Sequence, residues 1–422
     1  PAGGVVAGAG ISWDGWPNHR NLITADMGGT SFDVSVVSEG HIAFARSAEM
    51  AGLALGVPML DIHTVGAGGG SIGWIDSGGS LRVGPRSAGA LPGPACYRRG
   101  GIEPTVTDAN VVLGRLGPDS LLAGGLQVDP EAASRAITDK LAKPLGLSVE
   151  QAAEGIVRVV NATMTAAIRK LTVERGHDPR EFGLCAFGGA GPMHGAELAA
   201  ELGITTTLVP IAPGVHSAIG LLSSDLREDR VRTYVKQLDQ TTTDELEAIF
   251  RNLYMDAIKP LRFATERGDC VQVERKLSLR YLGQRYDLPV QVEHELLQLE
   301  QVAQDFHDSH EHLYGFARTD QPIELSSLWV SVEVGVGVGQ WPDAPISKNR
   351  HPSCSDQGTR SVTFSGQAFT TPIYRRDGLD VGTKLEGPAM IEQLDSTTVL
   401  WPNQQLEVDH HGQLILGPLE AR

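Results

Sequence analysis

The stretch Asn21-Leu-Ile-Thr-Ala-Asp-Met-Gly-Gly-Thr-Ser-Phe-Asp-Val-Ser-Val-Val37 decides the fold that we expect for this chain. An apolar strand runs into a Gly-Gly bend, and the strand that leaves the bend alternates apolar and polar residues with a period of two. A turn at residues 38–40 then leads into a further apolar run, from His41 to Arg46. The pattern predicts an antiparallel meander over residues 21–46.

The bend of this meander offers groups that suit a bound anion. Asp26 ends the incoming strand and Asp33 lies at the start of the outgoing one. Gly28 and Gly29 allow phosphate oxygens to approach the main chain, and Thr30 offers a hydroxyl donor. Either carboxylate suits Mg²⁺, directly or through water. These residues predict a phosphate and magnesium site; a Gly-Gly hairpin turn without a ligand is the alternative interpretation.

A second glycine-rich turn, Gly188-Gly-Ala-Gly-Pro192, follows a short apolar strand and precedes a helix. Amides at a helix start favour an anion or allow an adenosine to lie against the backbone. Gly188, Gly189 and Gly191 are therefore predicted to contact a nucleotide. A tight strand-to-helix connection explains the same glycines, and His194 is interpreted as a polar helix residue rather than a ligand.

A third candidate is the segment Asp61-Ile-His-Thr-Val-Gly-Ala-Gly-Gly-Gly-Ser71. Asp61 and His63 are two residues apart, so they project from the same face of a strand. Such a pair suits a divalent metal or a His that its carboxylate holds in one tautomer. We predict Asp61, His63 and Asp26 as metal ligands and His63 as a catalytic residue; a satisfied histidine at a strand end is the alternative.

The Gly- and Pro-rich residues 84–110 predict a shaped loop, and such loops often carry functional residues. Asp108 is a candidate metal ligand or base, or else it caps the helix that the following apolar run predicts. Cys96 is a candidate nucleophile without a local base, so the interpretation as a buried or bystander thiol is favoured.

Length and composition limit the class of protein. A chain of 422 residues predicts two domains, and the composition changes near residues 224–235, where Gly becomes sparse. A net charge of -16, from 35 basic and 51 acidic residues, disfavours nucleic acid and anionic membranes as partners. Four scattered cysteines, no signal peptide and no apolar run of about 18 residues predict a cytoplasmic protein.

Taken together, these segments resemble the hydantoinase A/oxoprolinase family, which includes ATP-dependent N-methylhydantoin and 5-oxoproline hydrolases and subunits of acetone and acetophenone carboxylases. The segments that carry the resemblance follow the family's order and cover nearly the whole chain. They are Asp26–Val34, His63–Ser71, Gly84–Tyr97, Thr105–Leu116, Phe187–Gly195, Arg280–Tyr286, His312–Gly315 and Glu386–Gln393.

The resemblance implies an α/β fold with an actin/hexokinase-like ATPase core built from ribonuclease-H-like lobes. Residues 1–228 are expected to form the second lobe of the catalytic domain, and residues 229–422 a β-rich α+β carboxy-terminal domain. By this analogy Asp26–Asp33 corresponds to the second phosphate loop and Gly188–Pro192 to the adenosine-contacting turn. The family's first lobe, with its own phosphate loop, is not among these residues, so we expect a fragment whose activity is reduced or absent.

The resemblance also implies a reaction. ATP with Mg²⁺ or another divalent metal would drive the ring opening of a cyclic amide, such as hydantoin, N-methylhydantoin or 5-oxoproline, through a phosphorylated substrate. A hydantoinase B-type subunit and a homo- or hetero-oligomer are the expected partners. The alternatives are an ATP-dependent ketone carboxylase subunit, a sugar or polyol kinase, and a non-catalytic assembly fragment.

Overall fold

The structure is a computed structural model of the chain. It describes residues 1–11, 21–43, 48–50, 53–55, 59–118, 120, 127–265, 270–292, 297–335 and 358–419. The described parts of residues 1–222 and 340–422 pack into one compact unit, and those of residues 223–339 pack into another.

Strands and helices are numbered in chain order. The strands are β1 (Leu22–Met27), β2 (Phe32–Ser38), β3 (His41–Ile42), β4 (Ala48–Met50), β5 (Leu53–Leu55), β6 (His63–Val65), β7 (Ser71–Ile75), β8 (Leu81–Ser87), β9 (Gly183–Phe187), β10 (Thr207–Val209), β11 (Leu226–Gln237), β12 (Val271–Tyr281), β13 (Leu288–Val292), β14 (Ile323–Val334), β15 (Thr359–Phe364), β16 (Gln367–Arg375), β17 (Lys384–Glu386), β18 (Ala389–Glu392), β19 (Thr397–Leu400), β20 (Gln404–Val408) and β21 (Leu414–Pro418). The α-helices are α1 (Ala2–Gly10), α2 (Val106–Val112), α3 (Pro130–Ile137), α4 (Lys143–Leu145), α5 (Val149–Leu171), α6 (Gly191–Leu202), α7 (His216–Ser223), α8 (Thr243–Thr265) and α9 (Leu299–Tyr314).

The central sheet of the first unit is mixed. Its described strands lie in the order β17-β20-β21-β10-β9-β1-β2-β3, and β6 also pairs with β2. The predicted meander is confirmed for β1, β2 and β3, which pair antiparallel. Residues 44–46 of the third predicted strand lie outside the described residues. Strand β9 runs parallel to β1, and β10 runs parallel to β9.

Helices cover both faces of this sheet, and the sequence explains the longest of them. Ser148 and Gln151 form a capping box at the start of α5. Buried side chains such as Ile156, Val160 and Ile168 recur along one face of α5 and pack against the sheet. The predicted helix from Val149 is confirmed, although its last turn, at residues 173–175, is a 3-10 turn.

The second unit is an antiparallel sheet with two helices. Its described strands lie in the order β11-β14-β12-β13. Apolar residues of α8 and α9, such as Phe250 and Phe306, share a core with strand residues such as Leu277 and Val330. The mixed α/β class predicted from the sequence is therefore confirmed.

The boundaries of the two compact units differ from those of the domains predicted at residues 1–228 and 229–422. Strand β21 pairs antiparallel with β10, so the end of the chain returns to the central sheet of the first unit. Strands β15, β16, β18 and β19 form a further sheet that packs into the core of this unit. Packing thus assigns the described residues after 358 to the first unit, and the sequence-based domain boundary stays a prediction.

Within the described parts of the chain, no helix has both the length and the apolarity that crossing a membrane requires.

A close approach between α6 and the sheet generates the first prediction. A Cβ atom at Gly195 would lie 2.6 Å from Cβ of Ala186 and 3.2 Å from Cγ2 of Thr207. Since these atoms belong to the sheet, Gly195→Val is expected to lower the free energy of unfolding by about 1–3 kcal/mol. Urea unfolding measures the change.

The control for this prediction is Gly378→Val. A Cβ atom at Gly378 meets no heavy atom within 4 Å, so its effect should stay within about 0.5 kcal/mol. Equal losses in the two variants would contradict the proposed close packing of α6.

Candidate functional site

The candidate site lies where three parallel strands of the first unit end. Asp26 is near the end of β1, Gly188 follows β9, and Pro213 belongs to the turn after β10. The amide of Gly188 donates to the carbonyl of Pro213 at 2.9 Å, and the amide of Ala190 donates to the carbonyl of Met27 at 2.9 Å. The crevice outside the carboxyl ends of parallel strands is the usual place for a ligand in open α/β sheets.

Asp26 is a partly buried carboxylate at the centre of this region. Its strand partner across the meander is Asp33, and Oγ of Ser217 donates to its Oδ2 at 3.1 Å. Burial raises the pKa of Asp26 above its ordinary value; the hydrogen bond from Ser217 opposes this rise, and the charge of Asp33 adds to it. The charged form of Asp26 therefore lowers the stability of the folded chain.

Asp33 is held by two hydrogen bonds from neighbouring side chains. Oγ1 of Thr64 donates to Oδ1 of Asp33 at 2.5 Å, and Oγ of Ser31 donates to its Oδ2 at 3.3 Å. Residues that face each other across antiparallel strands point to the same side of the sheet. Asp26 and Asp33 therefore form a carboxylate pair beside the bend.

The bend between the two carboxylates is open on one side. A Cβ atom at Gly28 or at Gly29 would meet no heavy atom within 4 Å, and Thr30 is exposed. The other side is closed, because the amides of Gly69 and Gly70 donate to the carbonyls of Gly28 and Gly29 at 3.0 and 2.7 Å. The second glycine segment thus supports the bend and leaves the open side for a ligand.

The Gly188 turn completes the region. A Cβ atom at Gly188 would collide with Oδ1 of Asp26, and the φ angle of this residue is 80°, so glycine is required on both grounds. Gly189 is exposed, and Gly191 begins α6. The start of α6 and the carboxylate pair are therefore neighbours.

His63 and Asp61 do not join this carboxylate pair. In β6, Thr64 pairs with Asp33 whereas His63 pairs with Val34, and successive residues of a strand face opposite sides of the sheet. His63 thus faces α5, where burial and Lys170 lower its pKa. Asp61 forms an ion pair with Arg175 just beyond the same helix.

The predicted metal set of Asp26, Asp61 and His63 is therefore not brought together. Among the described residues, no three or more His, Cys, Asp or Glu side chains lie close enough together to hold a metal ion. Spacing along the sequence indicates the face that Asp61 and His63 share, but it does not indicate the face on which Asp26 lies.

Asp108 is a structural carboxylate in the described loop. It is fully buried and forms a capping box with Thr105 at the start of α2. Its Oδ1 accepts from the amide of Cys96 at 2.8 Å, and its Oδ2 accepts from the amides of Ala95 and Thr105 at 3.2 and 2.9 Å. These bonds fit the capping alternative, and through them Asp108 positions the loop at residues 94–97.

Two further candidates lie in the interior. Burial, with the charge of Asp108, raises the pKa of the Cys96 thiol, so Cys96 stays a thiol and fits the bystander interpretation. His194 is completely buried, with Nδ1 at 2.7 Å from Oδ1 of Asn161 and Nε2 at 3.4 Å from Nδ2 of Asn110. Burial lowers the pKa of His194 to about 3, so it is a neutral hydrogen-bonding residue.

Sequence reasoning missed Ser217 and Asp395. Oδ2 of Asp395 accepts from the amide of Gly214 at 2.8 Å, and the neighbouring Ser396 donates its hydroxyl to the carbonyl of Gly189 at 3.3 Å. The turn between β18 and β19 therefore holds the turns that follow β9 and β10. The only sequence signal was the segment Glu386–Gln393, which ends two residues before Asp395.

Two family models cover most of the chain. Residues 1–230 match the hydantoinase/oxoprolinase model. Residues 234–416 match the model of the hydantoinase/oxoprolinase C-terminal domain.

Individual relatives match along nearly all of this chain. Caprolactamase subunit alpha of Pseudomonas jessenii is 37% identical over 94% of the chain, and 5-oxoprolinase of Saccharomyces cerevisiae is 32% identical over 97%. The crystal structure of ATP-dependent caprolactamase from Pseudomonas jessenii matches 100% of the chain with a TM-score of 0.80 at 35% identity. The nucleotide-free structure of acetone carboxylase matches 99% with a TM-score of 0.82 at 25% identity.

These relatives are longer than the chain. The chain spans 58% of caprolactamase subunit alpha and 33% of 5-oxoprolinase. It spans 62% and 60% of the matched chains in the caprolactamase and acetone carboxylase structures.

The burial of Asp26 generates a prediction about stability. Because its pKa is raised in the folded chain, the charged form destabilises the fold above that pKa, and Asp26→Asn removes the charge. We expect Asp26→Asn to raise the free energy of unfolding at pH 7.5. This gain should shrink as the pH falls through the raised pKa and vanish below the unfolded value of about 3.9. Urea unfolding between pH 3.5 and 8 measures it.

Asp139→Asn is the control for this experiment, because Asp139 is exposed and bonds only Lys143 among the described residues. It should give no gain in stability at pH 7.5. A loss of stability in Asp26→Asn at pH 7.5, or a gain that is constant with pH, would show that burial of the charge is not the dominant effect.

The contacts of Asp395 generate a third prediction. Asp395→Ala leaves the amide of Gly214 without its acceptor, so the free energy of unfolding should fall by about 1–2 kcal/mol. Asp395→Asn keeps an acceptor and should lose less. Leu394→Ala, in the same turn at a residue that is 66% exposed, is the control and should stay within about 0.5 kcal/mol. Equal effects of Asp395→Ala and Leu394→Ala would refute the holding role of Asp395.

Proposed function

The chain belongs to the hydantoinase/oxoprolinase family, and from this premise we propose that it forms an ATP-binding part of an enzyme that hydrolyses a cyclic amide. One observation carries the proposal: the carboxylates of Asp26 and Asp33 flank an open Gly-Gly bend at the carboxyl end of parallel strands. The relatives named caprolactamase and 5-oxoprolinase support a lactam as the substrate class.

We propose that the first unit contains one ribonuclease-H-like lobe of an actin/hexokinase-like ATPase. The antiparallel meander β1-β2-β3, continued by the parallel strands β9 and β10 with α6 between them, supports this. We also propose the family boundaries at residues 1–228 and 229–422 as functional domains, with the β18–β19 turn of the second contributing to the site of the first.

The residues fit a nucleotide on physical grounds. Gly28 and Gly29 leave backbone surface open to phosphate oxygens, and Thr30 adds an exposed hydroxyl. Gly188, Gly189 and Gly191 provide a turn in which Ala190 carries the one side chain, followed by the start of a helix, which suits the adenosine or an anionic group. A side chain at Gly188 would fill the space beside Asp26.

Asp26 and Asp33 are the residues that would hold Mg²⁺. Oxygen ligands from carboxylates and water are what this ion prefers, and a nucleotide phosphate commonly completes its shell. We exclude His63 from this set because it faces α5, and Asp61 because it pairs with Arg175 just beyond that helix. We retain His63 as a candidate polar residue on the α5 side of the sheet, separate from the metal site. We retain Asp108 as a residue that positions its loop.

In the proposed reaction, the γ-phosphoryl group of ATP would pass to the amide oxygen of the substrate, with ADP as the leaving group. Water would then add to the activated carbon, the ring C–N bond would break as its nitrogen takes up a proton, and a second water would release inorganic phosphate from the acyl phosphate. The chain would contribute positioning and charge neutralisation rather than a covalent nucleophile. Thr64 and Ser217 keep the carboxylate pair in place through their hydrogen bonds. The phosphorylated substrate, with hydantoin, N-methylhydantoin or 5-oxoproline as candidates, is part of this proposal.

A ketone carboxylase subunit is the second candidate function. It is favoured by the TM-score of 0.82 to acetone carboxylase. In either case the relatives named as subunits support a hetero-oligomer, and we propose a hydantoinase B-type partner. We place the enzyme in the cytoplasm, where its buried thiols Cys96 and Cys185 would stay reduced.

The test measures ATP hydrolysis with Mg²⁺ in the presence of caprolactam, 5-oxoproline, hydantoin or N-methylhydantoin. The assay should use a polypeptide that contains this chain and is as long as the relatives, mixed with the partner subunit. One lactam should stimulate turnover, and Asp26→Ala or Asp33→Ala should lower it roughly 100-fold or more, because each removes charge that holds the metal and phosphates.

Asp139→Asn is the matched control and should retain full turnover, since Asp139 is exposed on another element. Undiminished lactam-stimulated turnover in Asp26→Ala would refute the site. Turnover that requires a ketone and bicarbonate instead of a lactam would establish the second candidate function.

A further inference from the structure

Two exposed apolar side chains lie on turns that contact the Gly188 turn, and the proposed function has not used them. Leu394 belongs to the turn between β18 and β19, and Val215 ends the 3-10 turn that follows β10. Leu394 is 66% exposed and Val215 is 52% exposed. The other residues of 391–400 are buried or half-buried. Leu394 is therefore the one side chain that this segment presents to solvent.

The turn that carries Leu394 is fixed against Gly189. The amide of Gln393 donates to the carbonyl of Ser396 at 3.0 Å, which closes the turn. The hydroxyl of Ser396 donates to the carbonyl of Gly189 at 3.3 Å. A Cβ atom at Gly189 would lie 3.6 Å from the carbonyl oxygen of Asp395. The turn thus holds its exposed leucine beside the exposed backbone of Gly189.

The turn that carries Val215 is held from two sides. The carbonyl of Pro213 accepts from the amide of Gly188 at 2.9 Å, and the amide of Gly214 donates to Oδ2 of Asp395 at 2.8 Å. A Cβ atom at Gly214 would lie 2.7 Å from Cβ of Asp395, so this turn and the β18–β19 turn are in direct contact. The two exposed apolar side chains therefore lie on adjoining turns.

The order of the strands separates these two side chains from the phosphate bend. Strands β10, β9 and β1 are neighbours in the central sheet, and β1 leads into the bend at Gly28 and Gly29. Neighbouring strands lie about 4.8 Å apart, so the ends of β10 and β1 are separated by roughly 10 Å. A nucleotide whose phosphates lie at the bend can extend this distance along the strand ends. Its base would then reach the turn that follows β10.

The chemistry of this place suits an aromatic base. Ligand sites are lined mainly by apolar side chains with few polar groups. Gly189 adds exposed backbone that a flat ring can approach closely. Single exposed apolar side chains are common on protein surfaces. Here, however, two of them lie on turns that are fixed to each other, at the carboxyl ends of parallel strands where open α/β sheets bind ligands.

We propose that Leu394 and Val215 hold the adenine ring of ATP by apolar contact. The ring would lie against both side chains and the backbone of Gly189, with the triphosphate directed toward Gly28 and Gly29. The inference rests on the proposed function, because it takes the Gly-Gly bend as the phosphate site. It adds a base-binding residue from the β18–β19 turn, near the end of the chain.

Calorimetric titration with ATP and with inorganic triphosphate, both in the presence of Mg²⁺, tests the proposal. The protein is the polypeptide of the relatives' length with the partner subunit, as in the turnover assay. Leu394→Ala should weaken binding of ATP about fivefold and Val215→Ala about threefold, because each removes apolar surface that the base would cover. Neither should change binding of triphosphate, which has no base. Leu394→Met keeps the apolar volume and should bind ATP as the wild type does.

Leu91→Ala is the matched control. Leu91 is 76% exposed and lies on the loop after β8. Its removal should leave the affinities for ATP and triphosphate unchanged. A loss of ATP affinity equal to that of Leu394→Ala would show that the effect is not particular to the β18–β19 turn, and it would overturn the proposal.

Three further outcomes would overturn the proposal while the proposed function stands. One is unchanged ATP binding in both Leu394→Ala and Val215→Ala. Another is equal weakening of ATP and triphosphate, which would indicate a disturbed turn rather than a lost contact with the base. The third is unchanged ATP binding with loss of lactam stimulation, which would assign the two side chains to the substrate. Absence of ATP binding to the wild-type protein would instead refute the proposed function and this inference together.

Discussion

Strand β1 is hydrogen-bonded on both sides, antiparallel to β2 and parallel to β9, and the candidate site depends on this double pairing. The antiparallel register sets Asp26 opposite Asp33, and the parallel register sets Asp26 beside Phe187, the residue before the Gly188 turn. A shift of one residue between β1 and β2 would place one of the two carboxylates on the opposite face of the sheet. The site is thus a consequence of register, and the apolar residues that alternate with the carboxylates fix that register.

The same register explains why the charged form of Asp26 lowers the stability of the fold. Its neighbours Ala25 and Met27 point into the core with α5, while Asp26 faces Ser217 on the other side of the sheet. Burial and the proximity of Asp33 both favour the protonated carboxyl. A bound divalent cation would reverse this preference, because it stabilises two adjacent carboxylates that otherwise repel each other. The destabilisation of charged Asp26 and the proposed cation thus have the same cause, which is the adjacent position of the two carboxylates.

Features encoded within a few residues were predictable from the sequence, and features that depend on distant segments were not. Alternation along residues 21–37 sufficed for the meander, and the capping residue Ser148 sufficed for the start of α5. The face on which His63 lies depends on its pairing with Val34, which spacing within its own segment does not reveal. Asp395 reaches Gly214 across 181 residues of sequence, so no local pattern announces the contact.

The contact of Asp395 also changes how the two family domains should be understood. Residues 234–416 match a carboxy-terminal domain model, yet β20 and β21 extend the central sheet that carries Asp26. The backbone of the β18–β19 turn lies against Gly189, and Ser396 bonds its carbonyl. The bond from Ser396 thus adds to the two backbone hydrogen bonds, from Gly188 to Pro213 and from Ala190 to Met27, that hold the glycine turn. The proposed nucleotide site near the middle of the chain therefore includes a contact from residues near its end.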